Sequence, residues 1–133
     1  AQGLVIIDYI LNILGKFLTK RPKNKVIIKT KYLIKERVLA IVTHPSLKEY
    51  YSKNVVVYNE REVVDVDNQI IIPDRLVFNA KNEVTIIDYK TGKPSKEHHQ
   101  QLLKYDRVLK SMNFKVNRKL LLYINEEILI EEV

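Results

Sequence analysis

Asp74 and the tripeptide Asp88-Tyr89-Lys90 are the residues whose types and spacing could do chemistry. Asp74 follows Pro73 in the middle of an apolar run, and Asp88 sits at the C-terminal end of another. Lys90 stands two residues beyond Asp88, so on an extended strand both side chains leave the same face. Two carboxylates with the backbone carbonyl between Asp88 and Lys90 make a hard oxygen donor set, suited to Mg²⁺ or Mn²⁺. A divalent cation there would polarise a phosphodiester and lower the pKa of a bound water. A lysine close by would orient or activate that water, or balance charge on a pentavalent phosphorus. The same residues also have plain structural readings. Asp74 could form a turn beside Pro73 or pair with Arg75, and Asp88 and Lys90 could be solvated residues at a strand end.

Such a site needs two neighbouring strands. Gln69–Phe78 reads as a strand interrupted at Pro73, which cannot donate to a ladder and marks an edge, bulge or bend. Val84–Tyr89 reads as a second strand, and Asn79-Ala80-Lys81-Asn82 is a hairpin connection of ordinary length. If the two strands are antiparallel neighbours, Asp74 and Asp88 converge on one rim. Earlier strands are expected at Val55–Tyr58 and Glu62–Val66, with a turn at Asp67-Asn68, and later ones at Leu120–Ile124 and Ile128–Ile130. Thr91–Ser95 is a loop. Glu97–Met112 carries Leu102, Leu103, Tyr105, Val108, Leu109 and Met112 on one helical face, with Ser95 placed to cap it.

The first part of the chain has helical character. Apolar spacing predicts a helix over 4–19, Arg21–Lys25 a turn, and 26–41 a second helix. His44-Pro45-Ser46 is a break, and Ser46 with Glu49 has the spacing of a reciprocal cap for a short helix over 47–52. This order predicts an α+β domain with a mixed central sheet flanked by helices. It spans 1–133 as one unit, with a helical part over 1–53 and the sheet and its site helix over 54–133.

Composition sets the bounds. The 133 residues suffice for one domain, and 46% apolar content is too high for a disordered tail. No cysteine is present, which excludes disulfides, cysteine-ligated zinc, iron–sulfur clusters and a thiol nucleophile. With three glycines there is no glycine-rich mononucleotide loop. The apolar runs near the start fall short of the roughly 20 residues of a membrane span, so no membrane partner is expected. Lack of cysteine fits a reducing compartment, and a cytoplasmic location is expected. The net charge of +7 is uneven: residues 1–59 carry 11 basic and 3 acidic side chains, whereas 60–133 carry 12 and 13. Basic residues would draw in a polyanion while the acids hold a cation, although a lysine-rich solvated surface explains the basic stretch equally well.

Three pieces, Pro73-Asp74-Arg75, Asp88-Tyr89-Lys90-Thr91-Gly92 and Gln101-Leu102-Leu103-Lys104-Tyr105, give residues 70–110 a more specific pattern. In them the chain resembles the PD-(D/E)XK nuclease superfamily, and more closely the nuclease domain of RecB-like and AddA-like helicase–nuclease proteins. The resemblance implies a three-layer α/β/α, restriction-endonuclease-like fold and a Mg²⁺-dependent deoxyribonuclease, with Mn²⁺ as a substitute. It implies metal binding by Asp74, Asp88 and the Tyr89 carbonyl, with Glu62 helping the metal or its water, and a catalytic role for Lys90. It places Gln101 and Tyr105, four apart on one helix face, against the lysine or DNA. The implied partners are DNA and a repair helicase, in cis or in trans.

One departure stands out. Relatives of this type usually carry a histidine on the first helix, and the stretch Gly3–Asp8 has none. The alternative is therefore a catalytically inactive nuclease-like module for DNA binding or protein docking. Ala at position 1 and the missing histidine together lead us to expect a piece of a larger protein.

Overall fold

The structure is a computed structural model that describes residues 35–133. The helix expected over 4–19, the turn at Arg21–Lys25 and most of the helix over 26–41 lie outside the described residues. The chain divides into two compact units, Ala1–Lys53 and Asn54–Val133.

In the first unit residues 35–42 are helical (α1), with Val38 and Ile41 fully buried. The short helix that follows is a 3-10 turn over Lys48–Tyr51 whose N-cap is Leu47 and carries no side-chain cap bond. The expected Ser46 cap does not form. The Ser46 N–H instead donates to His44 Nδ1 at 3.0 Å, so the turn around Pro45 is closed by the histidine ring.

The second unit is built on a mixed, unclosed five-stranded sheet in the order β1-β4-β5-β6-β7. Its strands are β1 Val56–Asn59, β4 Arg75–Phe78, β5 Glu83–Lys90, β6 Lys115–Ile124 and β7 Ile128–Glu132. β4 runs antiparallel to both β1 and β5, β5 and β6 are parallel, and β7 returns antiparallel to β6. β2 (Val63–Val64) and β3 (Ile70–Ile71) form a separate antiparallel pair. The run 69–78 is thus two strands serving two sheets. Pro73, which has no N–H to offer a ladder, lies at the changeover. The turn at Asp67-Asn68 forms as expected. Asp65 Oδ1 accepts the N–H groups of Asp67 and Gln69, both at 2.9 Å, and Asn68 takes φ 61°.

The hairpin over Asn79–Asn82 fixes the register that matters. Asn79 Oδ1 accepts from Lys81 and Glu83 N–H at 3.0 and 2.9 Å, and Asn82 adopts φ 60°, a conformation asparagine tolerates. From there the ladder runs from Phe78↔Val84 to Arg75↔Ile87, which brings Asp74 opposite Asp88.

Helix α2 (Lys96–Ser111) crosses from β5 to the parallel β6. Ser95 caps it, its hydroxyl accepting the His98 N–H at 3.4 Å. Its buried stripe is Leu102, Tyr105, Val108 and Leu109, joined in one cluster with Leu76, Phe78, Val84, Ile86, Leu121 and Tyr123. Leu103, expected on that face, is 39% exposed because one helical step rotates it about 100° from Leu102. Residues pointing to the opposite sheet face, Val77, Ile87, Tyr89, Leu120 and Leu122, are buried as well. Burial on both faces fits the expected three-layer α/β/α arrangement.

The link from β5 to α2 is clamped at Gly92. Its N–H donates to Asn125 Oδ1 at 3.0 Å, and its carbonyl accepts from Asn125 Nδ2 at 2.9 Å. Gly92 has φ 78°, so the turn itself favours glycine. Asn125→Ala removes both bonds and should lower stability by about 1–2 kcal/mol, read from urea melts. An unchanged midpoint would show that the clamp does not hold this loop. Among the described residues no helix is long and apolar enough to cross a membrane.

Candidate functional site

The start of β4 and the end of β5 share one rim of the sheet because the two strands are antiparallel. The Asp74 N–H donates to Asp88 Oδ1 at 3.1 Å, and the Tyr89 N–H donates to Asp74 Oδ2 at 2.8 Å. Asp88 is 2% exposed. Burial, then the negative charge of Asp88, pushes the Asp74 pKa up to about 7, against partial relief from the Tyr89 N–H and Lys90.

Lys90 extends this network toward the helix. Its ammonium lies 3.0 Å from Asp88 Oδ2 and donates to Gln101 Oε1 at 2.5 Å. Gln101 also hydrogen-bonds the Tyr105 hydroxyl. Tyr105 is buried, and burial followed by the charges of Asp88 and Asp74 raises its pKa above the ordinary phenol value. The phenol therefore stays protonated across the neutral range. Asp74, Asp88, Lys90, Gln101 and Tyr105 form one connected group. Three local devices deliver them: the hairpin register, the strand end, and a capped helix.

Glu62 is not brought into this group. It precedes β2 rather than lying in it, is exposed, and lines a cavity of about 580 Å³ with Tyr58, Arg61, Val63, Phe78 and Phe114. No hydrogen bond or ion pair among the described residues connects it to the two aspartates. Arg75, the neighbour of Asp74, is buried and donates to Asn59 Oδ1 at 3.2 Å.

Two histidines at the start of α2 also have partners. His98 Nδ1 lies 2.9 Å from the Tyr123 hydroxyl, and His99 Nε2 lies 2.7 Å from Glu131 Oε2. They tie the first turn of α2 to β6 and β7, one turn before Gln101. Their partners are 25 and 32 residues away, so no local pattern could have announced them.

The donor set can be tested against a divalent cation. Among the described residues, no group of three or more acidic or histidine side chains forms. Two carboxylates and water nevertheless match the way Mg²⁺ is commonly held, through one or two carboxylates with several waters retained. The Asp88 charge raises the Asp74 pKa, and a cation between the two would relieve that repulsion. The residues present fit the ion.

An open mixed sheet thus carries paired carboxylates and a lysine at one strand end. The family model described as the PD-(D/E)XK nuclease superfamily matches residues 30–131, and the chain belongs to that superfamily. No curated protein matches it. Among solved structures, one described as "Crystal structure of SSO0001" is 18% identical, with a TM-score of 0.42, covering 97% of this chain and 77% of that one.

Proposed function

We propose that this chain is a Mg²⁺-dependent deoxyribonuclease domain of the RecB-like or AddA-like kind, working with a DNA-repair helicase in cis or in trans. The observation that supports it most is the continuous network from Asp74 through Asp88 and Lys90 to Gln101 and Tyr105 at one rim. In this reading Asp74, Asp88 and the Tyr89 carbonyl hold the cation. Along a strand a residue's N–H and C=O leave on the same side, and the Tyr89 N–H already meets Asp74. Glu62 has no contact that supports a ligand role. The bound ion supplies Lewis-acid polarisation of the phosphodiester and a water of lowered pKa.

The chain's own residues do the rest. Asp74, whose pKa is raised by burial and by the Asp88 charge, would be held as a carboxylate by a bound cation. Lys90 carries positive charge to the edge of the site, where negative charge develops on the phosphoryl oxygens. Gln101 and Asp88 fix the lysine by taking two of its three N–H groups, leaving one for the reacting group. The Tyr105 oxygen accepts from the Gln101 amide and so holds Gln101 in that orientation.

The direct test is cleavage of labelled linear DNA by the intact chain in Mg²⁺ or Mn²⁺, with EDTA as the control. A chain that binds neither ion and cuts nothing is a nuclease-like DNA-binding or docking module instead. A finer check is Gln101→Ala. Losing one charge-assisted hydrogen bond, about 1.5 kcal/mol, should slow cleavage about tenfold and leave the melting temperature nearly unchanged. A rate equal to wild type would remove Gln101 from the machinery.

A further inference from the structure

The basic residues of the sheet unit differ in their partners: Arg75 bonds Asn59, Arg61 lies over the Tyr58 ring, and Lys81 and Lys93 are exposed in turns. Lys90, Lys110, Lys115, Lys119 and Arg118 each pair with a carboxylate. Lys96, Lys104 and Arg107 are exposed on α2 and have no hydrogen bond or ion pair among the described residues. At 100° per residue these three fall within one quarter of the helix circumference, and Lys110 extends the same face. They span about 16 Å of helix axis at 1.5 Å per residue.

Acids are almost absent from that face. Of the two acids on α2, Glu97 stands in the first turn, where it complements the helix dipole, and Asp106 is buried. Lys104, Arg107 and Lys110 follow each other at i,i+3 spacing, which places like charges side by side and weakens a helix. Lys110 is offset by Asp106 at 3.0 Å, whereas Lys104 and Arg107 pair with no acid among the described residues. Lys104 also lies at i+3 from Gln101, so the basic row borders the row that faces the rim.

We infer that the solvent face of α2, through Lys96, Lys104 and Arg107, is a contact surface for the phosphate backbone of a polynucleotide leading to or from the rim. The identity of the occupant rests on reading the rim as a phosphodiester site. The contacts are to phosphates, so they set affinity and orientation and carry no base preference. Each neutralised phosphate steepens the dependence of log K on log salt by about 0.7 for single strands and about 0.9 for duplex.

The test is fluorescence anisotropy of labelled single-stranded and duplex oligonucleotides with the full chain in EDTA, across a salt series. Lys104→Glu with Arg107→Glu should weaken binding about tenfold or more, for every sequence alike, and flatten the salt slope by roughly 0.7 per side chain on single strands. Lys104→Gln with Arg107→Gln should shift binding in the same direction by less, with unaltered melting. Lys81→Glu, on the Asn79–Asn82 hairpin, is the control for net charge alone. Wild-type affinity in the α2 variants, or an equal loss in Lys81→Glu, overturns the inference. Because EDTA removes cleavage from the measurement, the two readings fail separately. A chain that binds through α2 yet never cuts in Mn²⁺ loses the nuclease reading only. A chain that cuts in Mn²⁺ but binds as tightly without the stripe loses the present one only.

Discussion

Asp88→Ala should lower metal-dependent cleavage by about 10³-fold or more while the chain stays folded. Asp88 is the central member of the network: Oδ1 receives the Asp74 N–H and Oδ2 faces the Lys90 ammonium at 3.0 Å. In the proposed site, removing the carboxylate would leave one side-chain ligand in place of two. It also leaves the lysine, only 17% exposed, without its counter-charge beside the place a cation must enter. Lewis-acid stabilisation of a phosphoryl transition state is worth several kcal/mol, and each 1.4 kcal/mol is about a factor of ten. The fold survives because two effects oppose each other. The broken pair strands a partly buried charge, but Asp74 loses the anion that was raising its pKa. Asp88→Asn keeps the shape and should lose nearly as much activity. Initial rates in Mg²⁺ with an EDTA blank, together with a melting curve, decide the matter. Cleavage within tenfold of wild type would sink the assignment of Asp88.

The convergence of Asp74 and Asp88 was legible because a short hairpin turns register into arithmetic. Once Asn79–Asn82 is the turn and Phe78 faces Val84, every earlier residue has a defined partner, and 74 meets 88. α2 was legible for a similar reason: its apolar spacing, serine cap and length are all local. What could not be read depends on neighbours distant in the chain. Lys115–Lys119 is a polar stretch with no strand signature, yet it forms the first half of β6, with Glu83 opposite Lys115 in the ladder and bonded to its ammonium at 2.8 Å. The run 69–78 looked like one strand because both halves are apolar, and only the pairing of Ile71 with Val63 shows that it changes sheets. Glu62 followed from a family pattern rather than from any geometry in the sequence, and the β2–β3 pair leaves it exposed. The link between Lys90 and Gln101 crosses a loop and a helix turn. The motif predicted it; helical periodicity showed only that Gln101 and Tyr105 share a face.

Asp74→Asn should stabilise the cation-free chain above neutral pH and do little in acid. The sign follows from the direction of the shift. In the folded chain burial and the Asp88 charge lift the Asp74 pKa to about 7, whereas the unfolded chain releases that proton near the ordinary value of about 3.9. Between those values the native state binds more protons than the unfolded one, so stability falls as pH rises through the window and levels off above it. With each pKa unit worth about 1.4 kcal/mol, the carboxylate's charged form at this rim costs on the order of a few kcal/mol. Asparagine keeps an oxygen to accept the Tyr89 N–H but carries no charge, so it escapes that loss. Thermal melts in EDTA should show the variant several degrees above wild type at about pH 8.5, with the gap closing toward about pH 4. Mg²⁺ should then reverse the order at alkaline pH, raising the wild-type midpoint by mass action and the variant's far less. A gap independent of pH, or a less stable variant at alkaline pH, would show that Asp74 is an ordinary strand-end carboxylate. The expected pattern would mean that this fold gives up stability at one rim to keep two acids where a cation can use them.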